Sequence, residues 1–246
     1  MSNVGKVHLG HRTLQEWDRL LSEAFRIPHE GERIQFLSEY FVGVPYAEST
    51  LVGSHAISEV LVIDLERVDC MTFIEYLEAM RLSSSFSDFV GHLRKVRYRG
   101  GIVDYARRNH FFTDWKEYND DITEDVTDYI GGTRTERLEK VLNVREDGTA
   151  LLPGIDPVAR RISYIPSARI DGDALANLMS GDYIGIYSNQ PALDVSHTGI
   201  VVKKGNAVFL RHASSQPIYK CVVDEELREY VLTKPGILVF RPRKRR

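Results

Sequence analysis

Apolar residues recur at helical spacing in three segments of the first third of the chain. The first segment, residues 13–25, begins with Thr13 and Glu16 in the positions of a capping box. The same spacing returns over 34–41 and again over 70–82, where the apolar side is broadest. The pattern predicts three helices, of which the third is central to the core.

The last third of the chain changes to a period of two, which is typical of strands. The predicted strands are 183–187, 198–202, 207–211, 218–223 and 236–241, with a hairpin turn at 203–206 and a helix at 225–232. Consecutive short strands joined by tight turns predict an antiparallel sheet.

Helices that come first and strands that come later predict an α+β fold in a single domain over residues 1–246. Residues 1–42 are interpreted as a helical N-terminal elaboration. Residues 84–166 are polar, rich in aromatic residues and interrupted by glycine pairs, so they are interpreted as a long irregular insertion.

Composition excludes several classes of protein. With 43% hydrophobic and 27% charged residues among 246, the chain resembles an ordinary globular protein and not a disordered or fibrous one. A net charge of −3 provides no overall basic field, so nucleic acid is not expected as a partner, and the basic run at 241–246 is interpreted as a solvated tail. No apolar run reaches the roughly 18 residues of a membrane span.

Sequence motifs for metals and nucleotides are missing. The two cysteines, Cys70 and Cys221, lack the spacing of metal ligands, and no HExxH, Walker-A or dinucleotide-binding pattern occurs. We therefore expect no metal.

Cys70 is the candidate nucleophile because it opens the third predicted helix, where unpaired N–H groups and the helix dipole favour a thiolate. The simpler interpretation is a small buried side chain. A nucleophilic cysteine needs a base and a group that orients the base. His197 begins a predicted strand and His212 ends the next, so the hairpin between them brings both imidazoles to one edge of the sheet.

These residues resemble a known family, the N-acetylmuramoyl-L-alanine amidase-like branch of the NlpC-type, papain-like cell-wall cysteine hydrolases. The matching blocks extend from about residue 41 to the C-terminus: 43–46, 68–75, 98–105, 110–115, 194–200 and 211–215. Blocks 98–105 and 110–115 resemble a signature of this branch, as distinct from the wider superfamily.

The resemblance implies a papain-like (NlpC-type) fold, in which the nucleophile helix packs on an antiparallel sheet. It also implies amide hydrolysis in peptidoglycan or muropeptides, without a cofactor. Cys70 would attack the carbonyl, His197 would carry the proton to the leaving amine, and His212 would orient His197.

Four further residues are implied at the site. Tyr46 would help the Cys70 N–H to stabilise the oxyanion, and Asp69 would cap the helix or contact the substrate. Ser196 and Trp115 are candidates for the walls of the cleft.

Two other functions stay open. A stem-peptide endopeptidase would cut between D-glutamate and the diamino acid, although blocks 98–105 and 110–115 favour the amidase. A catalytically silent wall-binding module would keep the fold without turnover.

Location and assembly are not predicted. Residues 1–17 lack the apolar run of a secretory signal. The cell envelope is expected if a leader was trimmed or if a dedicated system exports the protein, and the cytoplasm is expected otherwise. No feature indicates an oligomeric state.

Overall fold

The computed structural model describes residues 4–244, which form helices and strands in mixed order. The helices are α1 Leu14–Phe25, α2 Glu30–Glu39, α3 Cys70–Arg81, α4 Phe86–Arg97, α5 Phe112–Glu117, α6 Thr127–Gly131, α7 Gly172–Asn177 and α8 Leu227–Val231. The strands are β1 Val4–His8, β2 Val52–Ser54, β3 Ile57–Asp64, β4 Thr123–Asp125, β5 Glu136–Leu142, β6 Val158–Pro166, β7 Tyr183–Tyr187, β8 Val195–Lys204, β9 Ala207–Ala213, β10 Val222–Glu226 and β11 Gly236–Pro242.

The main sheet has the order β10-β9-β8-β7-β11-β6-β5, and β4 also pairs with β11. All its paired strands are antiparallel, and β7, β8, β9 and β11 contain the strands that the period-two pattern predicts. The α+β class with an antiparallel sheet is therefore confirmed.

Helix α3 lies at the centre of the fold and packs against β8, α2 and α4. A capping box starts it: Thr72 N–H donates to the Asp69 carboxylate at 2.7 Å, and Asp69 N–H donates to the Thr72 hydroxyl at 2.9 Å. The ten residues from Thr72 to Arg81 are all buried. A buried helix with a capped start holds its first residue in a fixed place.

Three of the buried α3 side chains are acidic or basic, and each has a partner. Glu75 accepts from Arg97 of α4 at 2.6 Å. Glu78 accepts from Arg81 at 2.6 Å and also from the hydroxyl of Tyr183 on β7. Because an unpaired buried charge is costly, these contacts couple the position of α3 to α4 and to the sheet.

The N-terminal segment is not purely helical, contrary to the interpretation of 1–42. Strand β1 pairs in parallel with β3, and β2 completes a separate three-stranded sheet. The predicted α1 and its capping box are present, and Trp17 and Leu21 share a hydrophobic cluster with Phe73. Local periodicity missed β1 because its partner strand lies about fifty residues away in sequence.

The segment 84–166 also contains more regular structure than the interpretation as an irregular insertion allowed. It includes the twelve-residue helix α4 and the β5–β6 hairpin, whose second strand pairs with β11. Strand β5 carries charged residues at exposed positions and keeps Val141 exposed. Its apolar alternation is therefore weak, which is why the hairpin was not predicted.

The strand predicted at 218–223 begins later, as β10. Lys220 has a φ of 49°, a left-handed conformation that ends the preceding turn. Glu225 consequently lies in β10, and the predicted helix 225–232 begins only at Leu227, with Glu226 as its N-cap.

The interpretation of 241–246 as a solvated tail is wrong for Arg241. This residue belongs to β11 and donates to the Asp182 carboxylate from two nitrogens at 2.7 Å each. Arg243 donates to the carbonyl of Thr123 at 3.2 Å. Arg245 and Arg246 lie outside the described residues.

None of the helices in the described part of the chain combines the length and the apolar character that crossing a bilayer requires.

Candidate active site

Cys70 is the first residue of α3, and its side chain is partly exposed. The buried Thr198 of β8 donates its hydroxyl to the Cys70 carbonyl at 2.8 Å. Thr198 follows His197 directly, so this bond holds the start of α3 against the strand that carries the predicted base.

His197 and His212 meet as the hairpin geometry predicts. His197 Nε2 lies 2.7 Å from His212 Nδ1, and the two rings are nearly perpendicular, at 89°. Gly199 makes room for this pair, because a Cβ there would lie 2.9 Å from the His212 Cβ. Ser196 is the extra residue of a β-bulge in β8, which redirects the chain just before His197.

Glu225 extends the pair into a chain of three groups. Its carboxylate lies 2.8 Å from His212 Nε2. A carboxylate only accepts, so His212 carries its proton on Nε2 and accepts at Nδ1 from His197 Nε2–H. This assignment leaves His197 Nδ1 unprotonated, which is the state that a general base needs.

Burial keeps the thiol and the imidazole neutral. Burial, followed by the charge of Asp69, raises the pKa of the Cys70 thiol to about 11. Burial, followed by the charges of His212 and Lys234, lowers the pKa of His197 to about 3. The thiolate predicted from the helix terminus is therefore disfavoured in the free protein, because burial and the charge of Asp69 outweigh the hydrogen bonds that Thr198 offers to the sulfur.

Tyr46 and Asp69 both lie beside Cys70. Tyr46 N–H donates to the Lys220 carbonyl at 2.8 Å, and the segment pairs with Val68 just before the helix. Burial, followed by the nearby Cys70, raises the pKa of Tyr46 to about 12, so its hydroxyl keeps its proton and can donate. Asp69 serves as the N-cap, as predicted.

Ser196 and Trp115 have different positions. Ser196 is exposed and lines a cavity next to His197 and His212. Trp115 is fully buried and packs on Phe112 and Tyr183. Its placement in the cleft is therefore corrected: an apolar aromatic cluster holds the indole inside the core, without surface for a substrate.

Sequence reasoning missed Thr198, Glu225, Tyr230 and Lys234. Tyr230 of α8 lies 5.0 Å from the His212 ring and 6.4 Å from the His197 ring, centroid to centroid. Burial, followed by the charges of Glu225 and Cys70, raises the pKa of Tyr230. Glu225 could have been predicted if the register of β10 on β9 had been known. Val223 lies opposite His212, and Glu225 follows it by two residues on the same face of the strand.

Arg211, which precedes His212 in β9, is a charged residue inside the fold. It donates to Asp224 at 2.6 and 2.8 Å and to the Ser38 hydroxyl at 2.8 Å. These hydrogen bonds of the Arg211 guanidinium connect β9 to β10 and to α2. Met71, which follows Cys70 in α3, has its sulfur 3.9 Å from the Thr198 hydroxyl.

Histidine, cysteine and carboxylate side chains do not form a group of three or more able to hold a metal ion anywhere in residues 4–244.

Fold and site together define an α+β protein in which a partly exposed thiol lies close to a linked pair of imidazoles. The model of the AmiA-like family, described as N-acetylmuramoyl-L-alanine amidase-like, matches residues 36–237. The chain therefore belongs to the N-acetylmuramoyl-L-alanine amidase-like family. No curated protein matches the chain.

Solved structures share the fold over nearly the whole chain. An N-acetylmuramoyl-L-alanine amidase from Bacteroides uniformis is 29% identical, with a TM-score of 0.71 over 93% of this chain and 100% of its own. A protein of Legionella pneumophila is 22% identical, with a TM-score of 0.79 over 93% and 94%, and supports the fold alone. A Bacteroides fragilis protein named as a candidate xylanase is 27% identical, with a TM-score of 0.67 over 87% and 100%. The family and the amidase-named neighbour support a peptidoglycan-related, amidase-like function.

Proposed function

We propose that the protein is a cysteine-dependent amide hydrolase of the papain-like (NlpC-type) kind, which cleaves the N-acetylmuramoyl-L-alanine bond of peptidoglycan or its fragments. The observation that carries the proposal is the hydrogen-bonded series His197, His212 and Glu225, next to Cys70 at the start of a buried helix. Membership of the amidase-like family supports the choice of bond.

The attack begins from neutral groups. His197 Nδ1 accepts the thiol proton as the Cys70 sulfur adds to the lactyl carbonyl of the muramic acid. Because burial raises the pKa of Cys70 and lowers that of His197, proton transfer accompanies attack and does not precede it. The step therefore creates a negative charge on the substrate oxygen and a positive charge on the His197 imidazole.

Collapse of the tetrahedral intermediate expels the L-alanine amine, which takes its proton from His197. The imidazolium formed in the meantime is stabilised through His212, whose Nε2 faces the Glu225 carboxylate. Water then attacks the thioester with His197 again as base, which releases the muramic acid carboxylate and restores the Cys70 thiol.

The oxyanion requires donors at the start of α3. The backbone N–H of Cys70 is one of the helix N–H groups without a helical partner, and the protonated Tyr46 hydroxyl is the second candidate donor.

Glycoside hydrolysis, which the name of the Bacteroides fragilis neighbour suggests for that protein, fits this site poorly. That chemistry usually needs two carboxyl groups on either side of the scissile bond. None of the nine residues that line the cavity beside His197 is an aspartate or a glutamate.

The test is mass spectrometry of MurNAc-tripeptide, and of its anhydro form, after incubation with the wild-type protein and with Cys70→Ala. We expect the wild type alone to release free sugar and intact peptide, while the variant still binds the muropeptide. The matched control is Cys221→Ala, which removes the other free cysteine and should retain turnover.

Other products would replace the proposal. Cleavage inside the peptide would identify a stem-peptide endopeptidase. Binding without cleavage by either protein would favour the wall-binding module.

A further inference from the structure

A small polar cavity of about 190 Å³ adjoins the imidazole pair. Besides both histidines, its polar lining residues are Ser196, Ser214, Ser215, Gln216 and Lys234, and Ile186 and Tyr230 complete the wall. Hydroxyl, amide and ammonium groups in a cavity of this size suit a single small polar group.

Lys234 supplies the only formal charge among the lining residues if both imidazoles are neutral. The side chain is partly buried, and its Nζ lies 5.3 Å from the centre of the Tyr230 ring. Within residues 4–244, no carboxylate pairs with this ammonium, whereas the Lys204 ammonium is paired with Asp224. A partly buried ammonium without an anion favours the entry of one, because charge-assisted hydrogen bonds are the strong ones.

The cavity lies on the leaving-group side of the proposed reaction. His197 protonates the leaving amine, so the released peptide begins at this imidazole. The cavity is lined by His197 and His212 but not by Cys70, to which the acyl group becomes attached. The group that enters it therefore belongs to the peptide and not to the sugar.

We propose that Lys234 and the serines around it form a specificity subsite for a carboxylate of the leaving peptide. The inference rests on the proposed function and goes beyond it by naming the group that is recognised. In a stem peptide that begins L-Ala-γ-D-Glu, the α-carboxylate of the second residue is the first free anion after the scissile bond. Amidation to D-isoglutamine removes its charge and leaves its shape nearly unchanged.

The experiment compares kcat/KM for MurNAc-L-Ala-γ-D-Glu-L-Lys and MurNAc-L-Ala-γ-D-isoGln-L-Lys, with wild type and with Lys234→Met. In both substrates the γ-carboxyl group of the second residue is in the peptide bond to lysine, so they differ only at its α-carboxyl group. We expect the wild type to prefer the acid about 10- to 100-fold, in line with one charge-assisted hydrogen bond. Lys234→Met should turn over the two substrates at similar rates. Lys6→Met is the control, because Lys6 is exposed on β1, and it should keep the wild-type preference.

The preference ratio isolates the subsite from electrostatic effects of Lys234 on His197, since such effects act on both substrates alike. A wild type without preference, or a Lys234→Met variant that keeps it, would overturn the inference. If neither substrate is cleaved, the proposed function fails, and titration of the tripeptides L-Ala-γ-D-Glu-L-Lys and L-Ala-γ-D-isoGln-L-Lys decides the inference separately. Binding of the acid form by wild type but not by Lys234→Met would support it, and equal binding of the two tripeptides would reject it.

Discussion

His212 Nδ1 lies 2.7 Å from His197 Nε2, on the side of the His197 ring that does not accept the thiol proton in the proposed reaction. One hydrogen bond thereby sets both the tautomer and the orientation of the base. Its direction depends on where the His212 proton resides, and Glu225 holds that proton on Nε2. The tautomer of the proposed base therefore depends on Glu225, a fourth residue beyond Cys70, His197 and His212.

Replacing Glu225 tests this dependence. Glu225→Gln keeps the shape of the side chain but can donate to His212 Nε2, which favours the opposite tautomer of both rings. We expect kcat to fall about 10- to 100-fold with little change in KM, since general-base catalysis contributes roughly 10²- to 10⁴-fold.

A pH profile of kcat/KM would separate positioning from folding, because a merely destabilised enzyme would keep the wild-type profile. Glu229→Gln is the matched control, because Glu229 is exposed on α8, only four residues after Glu225. Wild-type kinetics in Glu225→Gln would contradict the proposed role.

Alkylation reports the protonation state of Cys70. Because burial raises the pKa of the thiol to about 11, the reaction with iodoacetamide should accelerate about tenfold per pH unit between pH 7 and 9. Peptide mass spectrometry after timed quenching measures the rates at Cys70 and Cys221 in the same sample. A rate at Cys70 that is already constant above pH 6 would show a thiolate–imidazolium pair and would contradict the neutral resting state.

The low pKa of His197 predicts a loss of stability in acid. The unfolded chain binds a proton on this imidazole near its ordinary pKa of about 6.5, whereas the folded protein does so only near 3. Between these values the unfolded state holds more protons, so the free energy of unfolding falls as the pH falls. The contribution of this one group is at most about 1.4 kcal/mol per pH unit.

Urea unfolding of wild type and of His197→Gln at pH 7, 6 and 5 measures this contribution as a difference, which removes the titration of other groups. We expect the stability difference between the two proteins to change in favour of the variant as the pH falls. A constant difference over this range would mean that His197 is protonated with its ordinary pKa.

Gly199 tests the packing of the imidazole pair. In Gly199→Ala, the new Cβ would lie 2.8 Å from the Arg211 carbonyl oxygen and 2.9 Å from the His212 Cβ. We expect a loss of about 1–3 kcal/mol of stability from overpacking and a larger relative loss of activity as His212 is displaced. Thermal unfolding and kinetics of the same sample check both effects.

Gly172→Ala is the matched control, because a Cβ at Gly172 meets nothing within 4 Å. It should leave both stability and activity close to wild type. Full activity in Gly199→Ala would show that β9 shifts without disturbing the histidines.

Some elements follow from local sequence alone. The apolar spacing and the Thr13–Glu16 capping box predict α1, and the same logic predicts α3 with Cys70 as its first residue. Strands β7, β8, β9 and β11 alternate strongly enough that the pattern predicts their ends closely. The exception is the start of β8, which lies at Val195 and not at residue 198. These signals are readable because a helix face or a strand face is encoded by neighbours in sequence.

Long-range pairing decided what local pattern could not show. Strand β1 is recognisable only through β3, and Trp115 looks like a cleft residue until the packing of Phe112 and Tyr183 encloses it. Both depend on contacts between segments that are distant in sequence.

The sequence by itself determined that a cysteine opens a buried helix and that two histidines meet at a sheet edge, because helical period and hairpin register are local properties. Only the tertiary structure decided that Glu225 completes the series and that the thiol rests protonated. Both outcomes depend on which side chains from β10 and α8 surround the imidazoles, and on how far the assembled protein excludes water from the thiol.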